Sequence, residues 1–108
     1  MLKKYCLITT TFDNKKLAKK LANSLLDSKL VACVQISKVE SNYRWKWKVE
    51  NSDEFLLQMK TKKSLYKKVE EKILEIHNYE TPQILMYDIE DGYEDYLKWM
   101  EEETEGRS

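Results

Sequence analysis

Apolar residues recur along the chain with two different periods, and the order of these periods predicts the order of strands and helices. Residues 5–10 form a short apolar run that ends in threonines, which is typical of a strand. Asp13 is then a good N-cap for a helix whose apolar residues repeat at helical spacing. The apolar stripe of this helix consists of Leu17, Ala18, Leu21, Ala22, Leu25 and Leu26. The N-terminal third therefore predicts a strand followed by an amphipathic helix.

The next part of the chain predicts one very long strand. Residues 30–36 are apolar on both sides, which is the pattern of a central strand. From residue 39 to residue 50 the alternation is strict, with Tyr43, Trp45 and Trp47 on one face. A lone domain would leave these aromatic side chains exposed, so we expect them at a contact between copies of the chain.

A hairpin should follow from the polar segment after this strand. Residues 51–53 (Asn-Ser-Asp) are expected to reverse the chain, and residues 55–60 alternate again as a return strand. The change of pattern near Ser37 predicts a bend or a bulge. The hairpin would therefore begin in the sheet and continue beyond it as an arm.

The C-terminal half predicts a helix, a strand and a shorter helix. Ser64 can cap a second amphipathic helix that ends near His77. Residues 83–89 are expected to form the last core strand, and residues 91–100 a third helix. The acidic residues 102–108 are expected to fray.

The resulting order is strand, helix, strand, strand, helix, strand, helix. A split βαβ pair with two helices on one sheet face is the ferredoxin-like arrangement. We therefore predict a single α+β domain over residues 1–108, a ferredoxin-like βαββαβ sandwich with an extra C-terminal helix and a long β-hairpin arm.

Composition adds expectations about partners and location. Lys plus Arg equals Asp plus Glu at 19 each, so the whole domain has no excess charge for nucleic acid or an anionic membrane, and we expect neither as a partner. The N-terminal apolar stretch is too short for a signal peptide, and no run is long enough to span a membrane. Cys6 and Cys33 lie in apolar, strand-like segments, which fits a reducing cytoplasm.

Four stretches, taken together, resemble the CutA family of divalent-cation tolerance proteins. They are residues 30–36 (LVACVQI), 43–54 (beginning Tyr-Arg-Trp), 77–82 (HNYETP) and 96–99 (YLKW). The resemblance implies a ferredoxin-like homotrimer in which the arms of neighbouring subunits pair. It also implies association with divalent metal ions, notably copper, and a link to metal tolerance, without implying enzyme activity.

The chain departs from the family pattern at two positions. Trp47 stands where family members usually have a glycine, which adds apolar bulk to the arm. Asn78 stands where they often have a proline, which should loosen the turn that holds His77.

Four residues are candidate metal ligands: His77, Cys33, Glu54 and Glu80. No linear metal motif joins them, but the symmetry of a trimer could bring them together at clefts shared between subunits. His77 could instead be a partly charged imidazole at a helix C-terminus, and Cys33 could simply be a small core residue.

A second candidate site combines a cation with phenols near the predicted strand ends. Lys60, Tyr79 and Tyr96, with Glu80, could line a cleft that binds a small anion or transfers a proton, although the sequence favours surface pairing and ordinary strand-end packing for them. Trp45 is expected at the subunit interface and Trp99 in packing.

These observations favour a homotrimeric, copper-associated protein of metal tolerance over three alternatives. One is a trimeric signalling or scaffold module that binds a small ligand or a protein partner. The other two are RNA binding and catalysis, which the sequence disfavours because it has neither the RNA-recognition signature nor a catalytic motif.

Overall fold

The computed structural model describes residues 4–106, which form a four-stranded antiparallel sheet and three α-helices. The strands lie in the order β2-β3-β1-β4, which is the ferredoxin-like topology, and the predicted fold class is confirmed. The elements are β1 (Tyr5–Phe12), α1 (Lys15–Asp27), β2 (Cys33–Trp45), β3 (Lys48–Lys62), α2 (Tyr66–Ile76), β4 (Leu85–Ile89) and α3 (Glu94–Glu102), with a 3-10 turn at Lys63–Leu65 before α2.

The main core lies between the sheet and the two helices α1 and α2. Alternate residues of β1 and β3 point toward these helices, where they are excluded from water and stabilise the fold by apolar burial. The cluster is built from Cys6, Ile8, Phe12, Ala18, Leu21, Leu25, Leu30, Val31, Leu57, Met59, Leu65, Val69 and Ile73.

The hairpin of β2 and β3 is longer than the sheet that carries it. Its pairing runs without interruption from Cys33 opposite Lys60 to Trp45 opposite Lys48, so the bulge predicted near Ser37 is absent from this pairing. Only the second half of β3, residues 55–62, pairs with β1. Residues 39–54 therefore extend beyond β1 by about 23 Å, at ~3.3 Å per residue, and we call them the arm.

The tip of the arm is a two-residue turn at Lys46 and Trp47, so the turn predicted at residues 51–53 was wrong. Both residues have positive φ, 50° and 70°, which is the conformation that a tight hairpin turn of this length requires. Residues 51–53 lie inside β3. The error has a physical cause: strict alternation continues through both strands, and no glycine or asparagine marks the reversal.

The strand predicted to be central is an edge strand in the protomer, and the predicted last core strand forms the opposite edge. Residues 33–36 open β2, which pairs only with β3, and β4 pairs only with β1. Leu85 and Tyr87 of β4 remain about half exposed. Apolar residues on both faces of a strand predict that both faces are buried. They do not show whether a helix of the same chain or a neighbouring molecule buries them.

Both predicted helix caps were wrong. Asn14 rather than Asp13 caps α1, and its side-chain oxygen accepts a hydrogen bond from the Leu17 N–H at 3.1 Å. Ser64 does not cap α2 either: the 3-10 turn comes first, and Leu65 takes the N-cap position without a side-chain hydrogen bond.

The C-terminal residues expected to fray are docked as far as the structure describes them. The Thr104 hydroxyl is buried and donates to the Met100 carbonyl at 3.0 Å. The Glu105 N–H donates to the Lys29 carbonyl at 2.8 Å. Residues 107 and 108 lie outside the described range.

Candidate binding groove and predicted metal ligands

The sheet face opposite α1 and α2, which we call the open face, is covered only at one end. There α3 packs against β3, through contacts that include Tyr96 with Lys60 and Glu101 with Lys62. The even-numbered residues of β3 face this side, because the odd-numbered Leu57 and Met59 point into the core.

At the covered end, a buried cation contacts α3 and the chain that follows it, as far as Gly106. Lys62 is only 1% exposed; its Nζ lies 3.2 Å from a Glu101 carboxylate oxygen and donates to the Gly106 carbonyl. The second Glu101 oxygen accepts from the Tyr5 hydroxyl at 3.1 Å. Every partner of this ammonium belongs to the same chain, so this end is complete within one protomer.

The next cation along β3 is also paired. The Lys60 Nζ donates to the Gln35 side-chain oxygen at 3.0 Å and lies 3.5 Å from the Tyr96 hydroxyl, 5.6 Å from the centre of that ring. Cys33 stands directly opposite Lys60 in the β2–β3 pairing. Lys60, Tyr96 and Cys33 therefore form a group at the covered end of the open face.

At the other end, the open face carries a groove of about 690 Å³ between the arm and the loop that precedes β4. We call this the groove. It is lined by Thr11, Ser41, Asn42, Tyr43, Arg44, Trp45, Glu54, Tyr79, Glu80, Thr81, Pro82 and Gln83. Aromatic surface and both signs of charge meet here, which is the composition of a binding surface.

The floor of the groove holds a buried carboxylate. Glu54 is 6% exposed, and one of its oxygens accepts a hydrogen bond from the Tyr79 hydroxyl at 2.5 Å. Burial first, and then this hydrogen bond, raise the pKa of Tyr79 far above its usual range. Tyr79 is therefore held as a phenol whose hydroxyl donates a hydrogen bond to Glu54.

His77 follows α2 directly and lies beneath the loop that leads to the groove. One ring nitrogen, Nε2, is 2.6 Å from the Thr11 carbonyl, and the other, Nδ1, accepts from the Tyr79 N–H at 3.1 Å. The ring stacks on Phe12 with centroids 4.0 Å apart. Burial lowers the pKa of His77, which favours the neutral ring over the partly charged imidazole considered from the sequence. Because Nδ1 accepts from the Tyr79 N–H and Nε2 faces the Thr11 carbonyl, the hydrogen bonds place the proton of a neutral ring on Nε2. The turn that Asn78 was expected to loosen supplies one of these hydrogen bonds, through the Tyr79 N–H, and Thr11 of β1 supplies the other.

The four predicted metal ligands do not meet within one protomer. Cys33 stands opposite Lys60, which is six residues from Glu54 on β3, or about 20 Å at ~3.3 Å per residue. His77 has a hydrogen bond on each ring nitrogen, and coordination would have to displace one of them. Among residues 4–106 no group of three His, Cys, Asp or Glu side chains is placed to hold a metal ion. These donors therefore do not fit a metal ion within a single protomer.

The three residues predicted to line one ligand cleft likewise lie in two separate places. Lys60 and Tyr96 lie together at the covered end, whereas Tyr79 lies in the groove with Glu54. The sequence placed all three near strand ends, but it did not indicate which end.

The three aromatic residues predicted at a subunit interface also separate. Tyr43 and Trp45 line the groove and are 43% and 40% exposed. Trp47 is in the turn rather than on their face and is 92% exposed. Trp99, predicted to pack, lies on α3 against Tyr96 with ring centroids 5.4 Å apart.

Sequence reasoning missed the roles of Arg44, Lys62 and Glu101. Arg44 lines the groove beside two predicted aromatic residues, and its position in the arm was the available signal. Lys62 and Glu101 are distant in sequence and look like ordinary surface charges, so only the fold brings them together.

Comparison with known proteins agrees with this geometry. Residues 6–103 match the family described as CutA1 divalent ion tolerance protein. The chain is 37% identical over 98 residues to the divalent-cation tolerance protein CutA of Pyrococcus horikoshii, covering 91% of this chain and 96% of that one. It is 38% identical to the chloroplastic protein CutA of Arabidopsis thaliana, covering 90% of this chain but only 54% of the plant protein.

Solved structures give the same result. The crystal structure of CutA1 from Shewanella sp. SIB1 superposes with a TM-score of 0.93 at 32% identity and covers 98% of this chain and all of that one. The structure of the periplasmic divalent cation tolerance protein CutA from Archaeoglobus fulgidus gives 0.91 at 33% identity, with 94% and 99% covered. The fold thus defines a ferredoxin-like protein with an arm and an open groove. The chain belongs to the CutA family of divalent-cation tolerance proteins.

Proposed function

We propose that this chain works as a homotrimer that associates with divalent metal ions, copper among them, and serves metal-ion tolerance. The observation that carries the proposal is the groove, because a single protomer leaves Tyr43 and Trp45 half exposed beside a buried carboxylate. Half-exposed aromatic side chains next to a buried charge are typical of a surface that a partner completes.

The sheet edges support self-association. Strands β2 and β4 form the two edges of the sheet, and each leaves one row of backbone hydrogen-bonding groups without a strand partner among the described residues. Exposed Leu85 and Tyr87 on β4 add apolar surface to one of these edges. An arm from a second copy could pair with such an edge, and a closed ring of three copies would cover each edge once.

Assembly would also change the position of the metal-ligand candidates. Cys33 lies on the edge strand β2, and Glu80 lies on the rim of the groove, so a neighbouring copy could approach both. A thiol and a carboxylate from different protomers could then coordinate one metal ion, with the Glu54 carboxylate as a further ligand. The arrangement requires the assembly, because these donors are separated within one chain.

Calorimetric titration with Cu²⁺ in a non-coordinating buffer tests the metal part. We expect saturable binding in the wild type, at least tenfold weaker binding in the Cys33→Ser, Glu80→Gln double variant, and unchanged binding in Glu75→Gln, an exposed carboxylate on α2. Binding that is absent in the wild type, or equally strong in all three proteins, would remove copper from the proposal.

A trimeric signalling or scaffold module is the second candidate, and one observation favours it. Both nitrogens of the only histidine are occupied by hydrogen bonds, which leaves the groove as a surface for a small ligand or a protein rather than for a metal. Affinity capture from native lysate, with and without chelator, separates the two. Only the scaffold predicts a stoichiometric partner that stays bound in chelator and is lost in Arg44→Glu.

We also propose a binding role rather than catalysis, and a cytoplasmic location. Tyr79 is held neutral and His77 is engaged on both nitrogens, which argues against their use in proton transfer. Cys6 and Cys33 are free thiols, which a reducing compartment preserves.

A further inference from the structure

Although the net charge of the chain is zero, the tip of the arm carries an excess of positive charge. Residues 44–49 contain Arg44, Lys46 and Lys48 and no carboxylate. All three cations are exposed and lie within two residues of the turn, with Arg44 and Lys48 on opposite faces of the hairpin. We call residues 44–49 the tip.

The tip also presents apolar side chains to water. Trp47 is 92% exposed and Val49 is 71% exposed. Trp45 is less exposed, and the Lys46 Nζ lies 5.7 Å from the centre of one of its rings. A large aromatic, an aliphatic side chain and three cations are thus displayed at one projecting end.

The backbone conformation of Trp47 indicates that its side chain has a function. Its φ of 70° lies in the left-handed region, which glycine adopts freely and a bulky residue adopts at a cost. Its ring is almost wholly solvent-exposed, so packing within the protomer does not offset this cost. An unfavourable backbone conformation with no internal compensation suggests a function for the side chain outside the protomer.

We propose that the tip docks on anionic lipid bilayers, with Trp47 inserted at the level of the headgroups. Tryptophan favours that interface because its ring is largely apolar while its N–H can remain hydrated. The three cations would be attracted to the negative surface, and each cation near such a surface strengthens binding about fivefold. No helix within residues 4–106 is long and apolar enough to cross a membrane.

The observations favour a bilayer over nucleic acid. Val49 adds aliphatic surface that a bilayer interface accommodates and that base stacking does not use. Trp47 stands at the apex of a turn, where it can enter a soft surface, and the neighbouring Trp45 ring has a lysine above it. Arg44 and Trp45 also line the groove, so the proposal rests on Lys46, Trp47, Lys48 and Val49, which lie outside it, and requires neither trimer formation nor metal binding.

Vesicle co-sedimentation tests the proposal with the full chain. The vesicles are phosphatidylcholine alone and an equimolar mixture with phosphatidylglycerol, each at low and high ionic strength. We expect binding to the anionic vesicles only, weakened by salt. The Lys46→Gln, Lys48→Gln double variant should bind about 25-fold more weakly. Trp47→Gly should lose about tenfold, through the apolar area it removes.

Two matched controls give the test its specificity. Lys19→Gln with Lys20→Gln makes the same charge change on the exposed side of α1, and Tyr93→Gly removes another exposed aromatic residue. Both should bind as the wild type does. Trp47→Gly relieves the turn, so its loss of binding cannot come from unfolding, and circular dichroism checks this.

Three outcomes would overturn the proposal. The first is no binding to anionic vesicles at low salt. The second is an equal loss in the α1 and tip charge variants, which would indicate general charge attraction. The third is tighter binding to single-stranded DNA than to vesicles at the same ionic strength, lost in the same tip variants, which would assign the tip to nucleic acid.

Discussion

The two ends of the open face each bury a charged side chain, but the partners that satisfy this side chain differ between the ends. Each carries a buried charged residue of β3: Lys62 at one end and Glu54 at the other. At the Lys62 end, α3 and the C-terminal residues supply a carboxylate and a carbonyl. At the Glu54 end, Tyr79 supplies one hydrogen bond, and the groove remains open beside it.

This difference separates an end whose buried charge is satisfied within the chain from an end where a groove stays open beside the buried charge. Burying a charge is favourable only when its hydrogen bonds are satisfied, and the Lys62 end meets that condition internally. The groove at the Glu54 end offers aromatic and charged surface to another molecule. The covered end should therefore determine the stability of the protomer, and the groove its association.

The largest effect on stability is expected from the covered end. Lys62→Met keeps most of the volume but leaves Glu101 and the Gly106 carbonyl without their buried donor. We expect a loss of roughly 2 kcal/mol in the free energy of unfolding, below the ~3–5 kcal/mol of a fully buried pair because Glu101 is partly solvated. Urea denaturation measures it. Lys67→Met, in the exposed pair with Glu70, is the control, and an equal loss there would refute the role of Lys62.

A smaller loss is expected at the floor of the groove. Tyr79→Phe removes the hydroxyl that donates to Glu54, which should cost about 1.5 kcal/mol, the scale of a hydrogen bond to a charged group. Tyr93→Phe removes an exposed phenol that donates to Asp95, and it should change little. Urea midpoints compare the two. If both variants unfold at the wild-type midpoint, the Tyr79 hydrogen bond does not stabilise the fold.

A gain in stability is expected at the tip. Trp47→Gly places glycine at φ 70° and should stabilise the hairpin by about 1 kcal/mol. Adding Lys46→Asn completes the Asn-Gly pair that this turn type prefers. Thermal unfolding of both variants measures the effect. A lower melting temperature for Trp47→Gly would mean that the indole packs in the free protein.

The smallest effect is a dependence on pH that comes from His77. Burial lowers the pKa of this ring, so below pH 6.5, the ordinary histidine value, the unfolded chain takes up a proton that the folded chain does not. Stability is therefore complete above pH 6.5 and falls as the pH decreases through the acidic range. His77→Gln should show a shallower decline between neutrality and the pH where carboxyl groups titrate. Parallel slopes in urea titrations would contradict a neutral, buried His77.

The sequence predicted the fold well because its signals were local periodicities. The helical stripes around Leu21 and Ile73 and the alternation in the arm identified the elements, and their order specified the topology. The turn at Lys46 and Trp47 was missed because neither residue favours positive φ. The edge position of β2 was missed because apolar residues on both faces of a strand have the same pattern in a core and at a contact between copies.

The site was predicted less well, because its geometry depends on register rather than on residue type. Cys33 and Glu54 are both plausible ligands, yet the pairing of β2 with β3 separates them. His77 was correctly placed at the end of α2, but its two hydrogen bonds arise from β1 and from the following turn. Residue types identify candidate ligands, but strand pairing determines which of these side chains lie close together.

The mass in solution tests the central claim most directly. Light scattering of the wild type should give three times the 13.0 kDa of one chain, and Trp45→Asp, which places a charge in the groove, should give a smaller species. Leu74→Asp, at an exposed apolar position on α2, should remain a trimer. A wild type that stays monomeric at all concentrations, or a Trp45→Asp variant with the wild-type mass, would contradict the account of the groove as the surface that a neighbouring copy completes.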